Sequence, residues 1–314
     1  MKILMSHQAI VGLLWLVGLG VLAALGLFVG WGELIDALVE MDTSSILAWI
    51  GITFLSRIIL VEALSRPIAA LGGQVSRTEV FWAGWLRSFF NQVLPMAGTA
   101  YLASFLRKRT ALSWGEMAAL ASPQILFATL SIGVVGTLAA LIVTSRGSES
   151  NWVLITTFVC IAIAAMVVIS GSKSLQRVLP VQVEGRLSLM LRALAVFHSH
   201  LQLMLWVILV HCSAIFLRAL RLWVLFSAIG QPLEIYTVLL LSCVGEIAII
   251  LQLTPGGIGV REGTLVGTAY LIGLDPASVA TVAVLDRLLI LAMVTGLAPV
   301  SMLFLRRADD DPKE

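Results

Sequence analysis

The residue types best suited to chemistry gather in one stretch, Leu253-Thr254-Pro255-Gly256-Gly257-Ile258-Gly259-Val260-Arg261-Glu262-Gly263. Gly256, Gly257 and Gly259 carry no side chain, so backbone N–H groups there can approach a ligand closely. A helix beginning between Val260 and Glu262 would turn its N-terminus toward the same space, which favours an anion. Arg261 adds a planar fork that matches phosphate. Together these point to a phosphate-bearing group. Glu262 reads as a helix-start or salt-bridge residue rather than a base.

Further ionisable residues stand inside apolar runs: Arg57, Arg87, Arg218, Arg221, Glu246, Asp286 and Arg287. Each costs roughly 2.5–3.5 kcal/mol at the centre of a membrane helix and so needs a partner or a purpose. Asp286 and Arg287 are adjacent, about 100° apart on a helix, and are not expected to pair with each other. Arg287 is expected to face the cavity while Asp286 pairs with another arginine, Arg261 for example. Arg87 and Glu246 occupy near-equivalent positions in two halves of the chain and are expected to pair. Arg57 and Arg218 either snorkel to an interface or hold a headgroup.

Other chemistries find no support. Cys160, Cys212 and Cys243 lack paired spacing and read as small buried hydrophobes. His198, His200 and His211 have no carboxylate or thiol at ligand spacing, so neither a metal nor another cofactor is expected. No nucleophile–base pairing emerges. A phosphate-binding Gly-x-x-x-x-Gly-Lys-Ser/Thr pattern is absent, and no basic cluster interleaves with aromatics, which excludes ATP-driven chemistry and nucleic-acid partners.

The elements that must position these residues follow from composition. The 314 residues are 59% hydrophobic and 12% charged, with a net charge of +2, and mean hydropathy is +1.01. Such a chain is an all-α polytopic membrane protein, one transmembrane domain over residues 1–314. Apolar runs at Ala9–Val29, Ile46–Leu64, Trp114–Thr144, Trp152–Ser170, Leu201–Ile229 and Ala277–Leu305 predict about six full spans. The first reads as an uncleaved anchor, followed by an acidic loop with Glu33, Asp36, Glu40 and Asp42. Two further runs are broken, one at Asn91-Gln92-Val93-Leu94-Pro95-Met96-Ala97-Gly98 and one at Pro255, and each is expected to enter the membrane and return. Between about 171 and 200, Leu187, Leu191, Leu194 and Phe197 predict an amphipathic interfacial helix.

Basic residues at Arg66, Arg77, Arg107 to Arg109, Lys173 to Arg192 and Arg306-Arg307 set the orientation, with both termini and the tail from 306 to 314 in the cytoplasm. The order of features also repeats. Gln92-x-x-Pro95 matches Gln252-x-x-Pro255, Arg57 matches Arg218, Ala70-Leu71-Gly72-Gly73 resembles Ala228-Ile229-Gly230-Gln231, and Ser113 starts a helix as Asp275-Pro276 does. Repeat 1 spans about 44–145 and repeat 2 about 201–305. With the broken segments entering from opposite sides, these are inverted repeats, whose paired breaks mark a transport site near the midplane. Asn91, Gln92, Gln252 and Pro255 join the candidate substrate-binding residues on this ground.

The stretch Leu253 to Gly263 resembles the signature of the lysylphosphatidylglycerol synthase transmembrane, or flippase-like, family, and Asn91 to Gly98 is similar to its looser first motif. The resemblance covers nearly the whole chain. It implies movement of a phospholipid or lipid-linked precursor between leaflets of a bacterial or archaeal cytoplasmic (inner) membrane. Its partners would be that lipid, together with a second copy or a lipid-biosynthesis protein. An aminoacyl-transferase domain does not accompany these residues, so synthase activity is not carried over. Gly98 is followed by Thr99-Ala100-Tyr101-Leu102, and Pro123-Gln124 stands where the second half has Asp286-Arg287, so the first-half site is expected to be less cationic. A membrane-embedded lipid-modifying enzyme, or an accessory subunit of lipid or envelope biosynthesis, is the alternative.

Overall fold

The computed structural model describes residues 7–110, 112–146, 151–178, 197, 200–251 and 253–310. The described chain is 88% helical with no strand. In order the helices are α1 (His7–Val29), α2 (Trp31–Glu40), α3 (Thr43–Ala70), α4 (Arg77–Val93), α5 (Ala97–Thr110), α6 (Trp114–Ser145), α7 (Trp152–Val178), α8 (Leu201–Ala228), α9 (Ile235–Leu251), α10 (Val260–Leu271) and α11 (Pro276–Asp310), with a 3-10 turn at Pro255–Gly257. Helices α3, α7 and α8, the Pro123–Ser145 part of α6, and α11 are long and apolar enough to cross a membrane. The α1–α2 pair, bent by 79°, would make a sixth span.

One expectation changes. The acidic stretch after the first span is a helix, not a loop: in α2 Leu34 is buried while Glu33, Asp36 and Glu40 face outward. Its sharp departure from α1 uses Gly30 at φ 94°, a conformation that favours glycine. The amphipathic connector helix, with Leu187, Leu191 and Leu194, lies outside the described residues; of its apolar set only Phe197 is described, and it is buried against Phe127.

Helices α3 and α8 pack on each other. Beside them the first broken segment folds as a closed helical hairpin of α4 and α5. Its base is joined by an ion pair between Glu79 and Arg109 at 3.2 Å. At its tip the Gly98 N–H donates to Asn91 Oδ1 at 2.8 Å, and Met96 takes φ 67° to complete the turn. Gly98 is required here because the Arg87 carbonyl occupies the space a Cβ would fill. With 17 and 14 residues, the arms are roughly 25 and 21 Å long, shorter than the ~30 Å hydrocarbon core.

Helices α9 and α10 form the second hairpin. Gly245 lies against Arg261 and Leu265, and Gly257 lies beside Ala248 and Ile249. Helix α11 runs past both hairpins. At its C-terminal end Arg109 donates to the Ala308 carbonyl at 3.3 Å, and Trp82 meets Phe304. At its N-terminal end Val279 and Ala280 share a core with Val266, Ala269 and Leu274. The two hairpin bases therefore sit at opposite ends of a 35-residue helix, roughly 50 Å long. Their tips meet: the Gln92 amide stands where a side chain on Gly256 would begin.

Caps fix the helix starts that set these registers. Ser113 and Glu116 form a capping box on α6. The Asp275 carboxylate accepts from the Ser278 hydroxyl and N–H at the start of α11, which holds its pKa below the usual range.

The hairpin packing is testable by contrast within α4 and α5. Gly98→Val forces a side chain into the Arg87 carbonyl and is expected to destabilise by about 1–3 kcal/mol or more. Gly84→Ala, in open space on α4, is expected to be neutral or stabilising by up to about 1 kcal/mol. Thermal unfolding in detergent separates the two; equal melting temperatures for both variants contradict the hairpin.

Candidate functional site

Asp286, 1% exposed, is the hub of the second half. It accepts from Trp49 Nε1 of α3 at 3.0 Å, from Arg221 of α8 at 2.9 Å and from Arg261 of α10 at 2.9 Å. The expected pairing with Arg261 is therefore present, and Arg221 joins it. Arg221 also stacks on the Trp49 ring, which sets one face of its guanidinium.

The neighbouring Arg287 points elsewhere, as helical geometry requires. It donates from Nε to Glu262 at 2.9 Å and from Nη1 to the Gly256 carbonyl at 3.0 Å. Glu262, fully buried, accepts in turn from the Gly259 N–H at 2.8 Å and lies 3.6 Å from Arg261. Its role is thus helix start and ion pair together. Through Arg287 and Glu262, helix α11 holds the broken segment in place.

That segment needs its glycines. Gly256, Gly257 and Gly259 take φ of 60°, 72° and 78°, in the left-handed region that side chains resist. Thr254 pins the turn by donating from its hydroxyl to the Ile258 carbonyl at 2.8 Å, and Gly257 N–H donates to the Thr254 carbonyl at 3.0 Å. The N–H groups of Gly257 and Gly259 are therefore engaged inside the protein, whereas the sequence had them free for a ligand. Pro255 is buried at the start of the turn. Gln252 lies outside the described residues.

Sequence reasoning missed the role of α1. A methyl group on Gly18 would stand 2.8 Å from the Ile258 carbonyl, and one on Gly259 would stand 2.6 Å from the Gly18 carbonyl. Backbone meets backbone here, and the signal was a glycine inside the first apolar run.

The first half contributes differently. Asn91 is spent on the hairpin tip, while Gln92 Oε1 is buried beside Gly256 without a hydrogen bond. Gln124 donates to the Ala63 carbonyl, and its Oε1 lies 3.1 Å from His211 Nε2.

The expected Arg87–Glu246 pair does not form. Glu246 of α9 pairs at 2.7 Å with Arg218 of α8, because those two helices pack together while Arg87 stays with its hairpin. Nor does Arg57 snorkel. It stacks 4.9 Å from the centre of the Trp85 ring, among the charges of Arg218, Arg221, Arg87 and Glu246. Six guanidiniums, Arg57, Arg87, Arg218, Arg221, Arg261 and Arg287, thus meet only three carboxylates, Glu246, Glu262 and Asp286. Among the described residues Arg57 and Arg87 touch no carboxylate. Arg57 is half-buried and Arg87 exposed, so both remain open to an anion.

No group of three or more His, Cys, Asp or Glu that could hold a metal occurs among the described residues. The family model described as "Lysylphosphatidylglycerol synthase TM region" matches residues 15–298, nearly the whole chain. No curated protein and no solved structure matches it.

The two kinds of arginine make opposite predictions. Asp286→Asn strands Arg221 and Arg261 and is expected to destabilise by about 3–5 kcal/mol. Arg57→Gln removes an unneutralised charge and is expected to cost less than about 1 kcal/mol. The check is the melting temperature of each purified variant; a loss for Arg57→Gln as large as that for Asp286→Asn refutes the charge surplus.

Proposed function

The chain belongs to the lysylphosphatidylglycerol synthase transmembrane family, and from that premise we propose that it moves a phospholipid or lipid-linked precursor between bilayer leaflets. Membership alone connects it with lipid metabolism or transport in a membrane. The observation that carries the finer reading is the pair of unneutralised guanidiniums, Arg57 and Arg87, close to where the hairpin tips touch.

Holding such charges inside an apolar bundle costs free energy, and an anionic headgroup recovers it through charge-assisted hydrogen bonds. In this reading Arg57 and Arg87, with Arg218, attract the phosphate. Gln92 and the Pro255–Gly259 backbone line the space, and Asn91 holds the first tip. Arg261, Glu262, Asp286 and Arg287 keep the second tip in register. Acyl chains stay in the surrounding lipid.

The hairpins act as re-entrant segments of two inverted repeats. What supports this is that each arm is shorter than the bilayer core and that the bases lie at opposite ends of α11. The base carrying Arg77, Arg107, Lys108 and Arg109, with Arg306 and Arg307 nearby, lies on the cytoplasmic side by the distribution of basic residues. Both termini then face the cytoplasm of a bacterial or archaeal cell. Rocking of one repeat against the other exposes the site alternately to each leaflet. In this reading the role is transport rather than catalysis.

Proteoliposomes carrying fluorescent phosphatidylglycerol or phosphatidylcholine, with chemical quenching of the outer leaflet, test this. The intact protein is expected to move the anionic lipid faster. The Arg57→Gln/Arg87→Gln double variant is expected to lose roughly ten-fold or more of that rate, the worth of one charge-assisted hydrogen bond. Undiminished transfer in the double variant rejects the site, and a lipid product of altered mass favours an embedded enzyme.

A further inference from the structure

A second site lies apart from the central cluster. A cavity of about 360 Å³ opens between α4, α5 and the C-terminal end of α11. Leu86, Phe90, Phe105 and Leu305 form its apolar part, and Lys108 and Arg306 are its basic part. Leu86 and Phe90 are one helical turn apart on α4, as are Arg87 and Asn91, but the two pairs are offset by about 100°. The cavity is therefore on a different side of the hairpin from the proposed transport site.

Its chemistry is that of an amphiphile's boundary. The elements around it are the base of a membrane hairpin and the end of a spanning helix, where apolar side chains give way to cations. Arg109, which also lines it, is held by Glu79 and the Ala308 carbonyl and so builds the wall. Lys108 and Arg306 are exposed. Basic pockets of this kind between membrane helices suit an anionic lipid head, with the first part of a chain against the apolar wall. A cavity of this volume takes that portion of a lipid and leaves the rest in the bilayer.

We propose that this cavity binds an anionic phospholipid through Lys108 and Arg306, splinting the first hairpin against α11. The site does not depend on the transport reading, because none of its residues belongs to the central cluster.

The test uses the full chain in detergent, titrated with phosphatidylglycerol, phosphatidylcholine or inorganic phosphate, and follows melting temperature and lipid retention by native mass spectrometry. Phosphatidylglycerol alone is expected to stay bound and raise the melting temperature. Lys108→Gln/Arg306→Gln is expected to weaken its binding roughly thirty-fold, from two surface charges lost, while Lys108→Arg/Arg306→Lys retains it. The Arg57→Gln/Arg87→Gln variant is expected to keep the effect, which separates this site from the central one. Equal stabilisation by phosphatidylcholine or by phosphate overturns the proposal. So does unchanged binding in the Lys108→Gln/Arg306→Gln protein, or an effect lost only with Arg57 and Arg87.

Discussion

One carboxylate organises the centre of this protein. Asp286 joins α3, α8 and α10 to α11 through Trp49, Arg221 and Arg261, and all four side chains are buried. Burial makes such a hub an all-or-nothing device, since removing the anion leaves two guanidiniums with nothing to face. The hub also determines what its neighbour can do. With Asp286 turned toward α8, Arg287 is turned toward the glycine turn and Glu262. A single adjacent pair on one helix thereby positions both the bundle and its break.

The charge left over is as informative as the charge that is paired. The second half neutralises its own arginines with Glu246, Glu262 and Asp286, and the first half has no equivalent acid. Helix α11 carries Asp286-Arg287, whereas in α6 Gln124 meets His211. The two halves of the chain thus differ in buried charge.

Much of this was legible before any coordinates. Hydropathy and length gave the six apolar runs, and Pro95 and Pro255 marked the breaks. The angle between adjacent helical residues sent Asp286 to an arginine other than Arg287, with Arg261 as an example, and Glu262 was read from its place at a helix start. Pairings across elements were harder. Equivalence of position assigned Glu246 to Arg87, but packing of α8 on α9 brings Arg218 within reach first. The glycine turn was read as a cradle of free N–H groups, whereas Glu262 and Thr254 occupy two of them. Spacing reports which residues share a helix face; it does not report which neighbouring helix arrives there. The contact of Gly18 with Ile258 and Gly259 had no local signal beyond a glycine in an apolar run.

That contact bears on how the molecule is made. Gly18 emerges from the ribosome near the beginning of synthesis, and the turn against which it packs emerges more than two hundred residues later. The glycine face of α1 thus packs on a turn made much later, and α11, which holds that turn through Arg287, is made later still. Contacts so far apart in sequence close slowly. A chain halted before residue 254 would insert its first helices and still lack a finished centre.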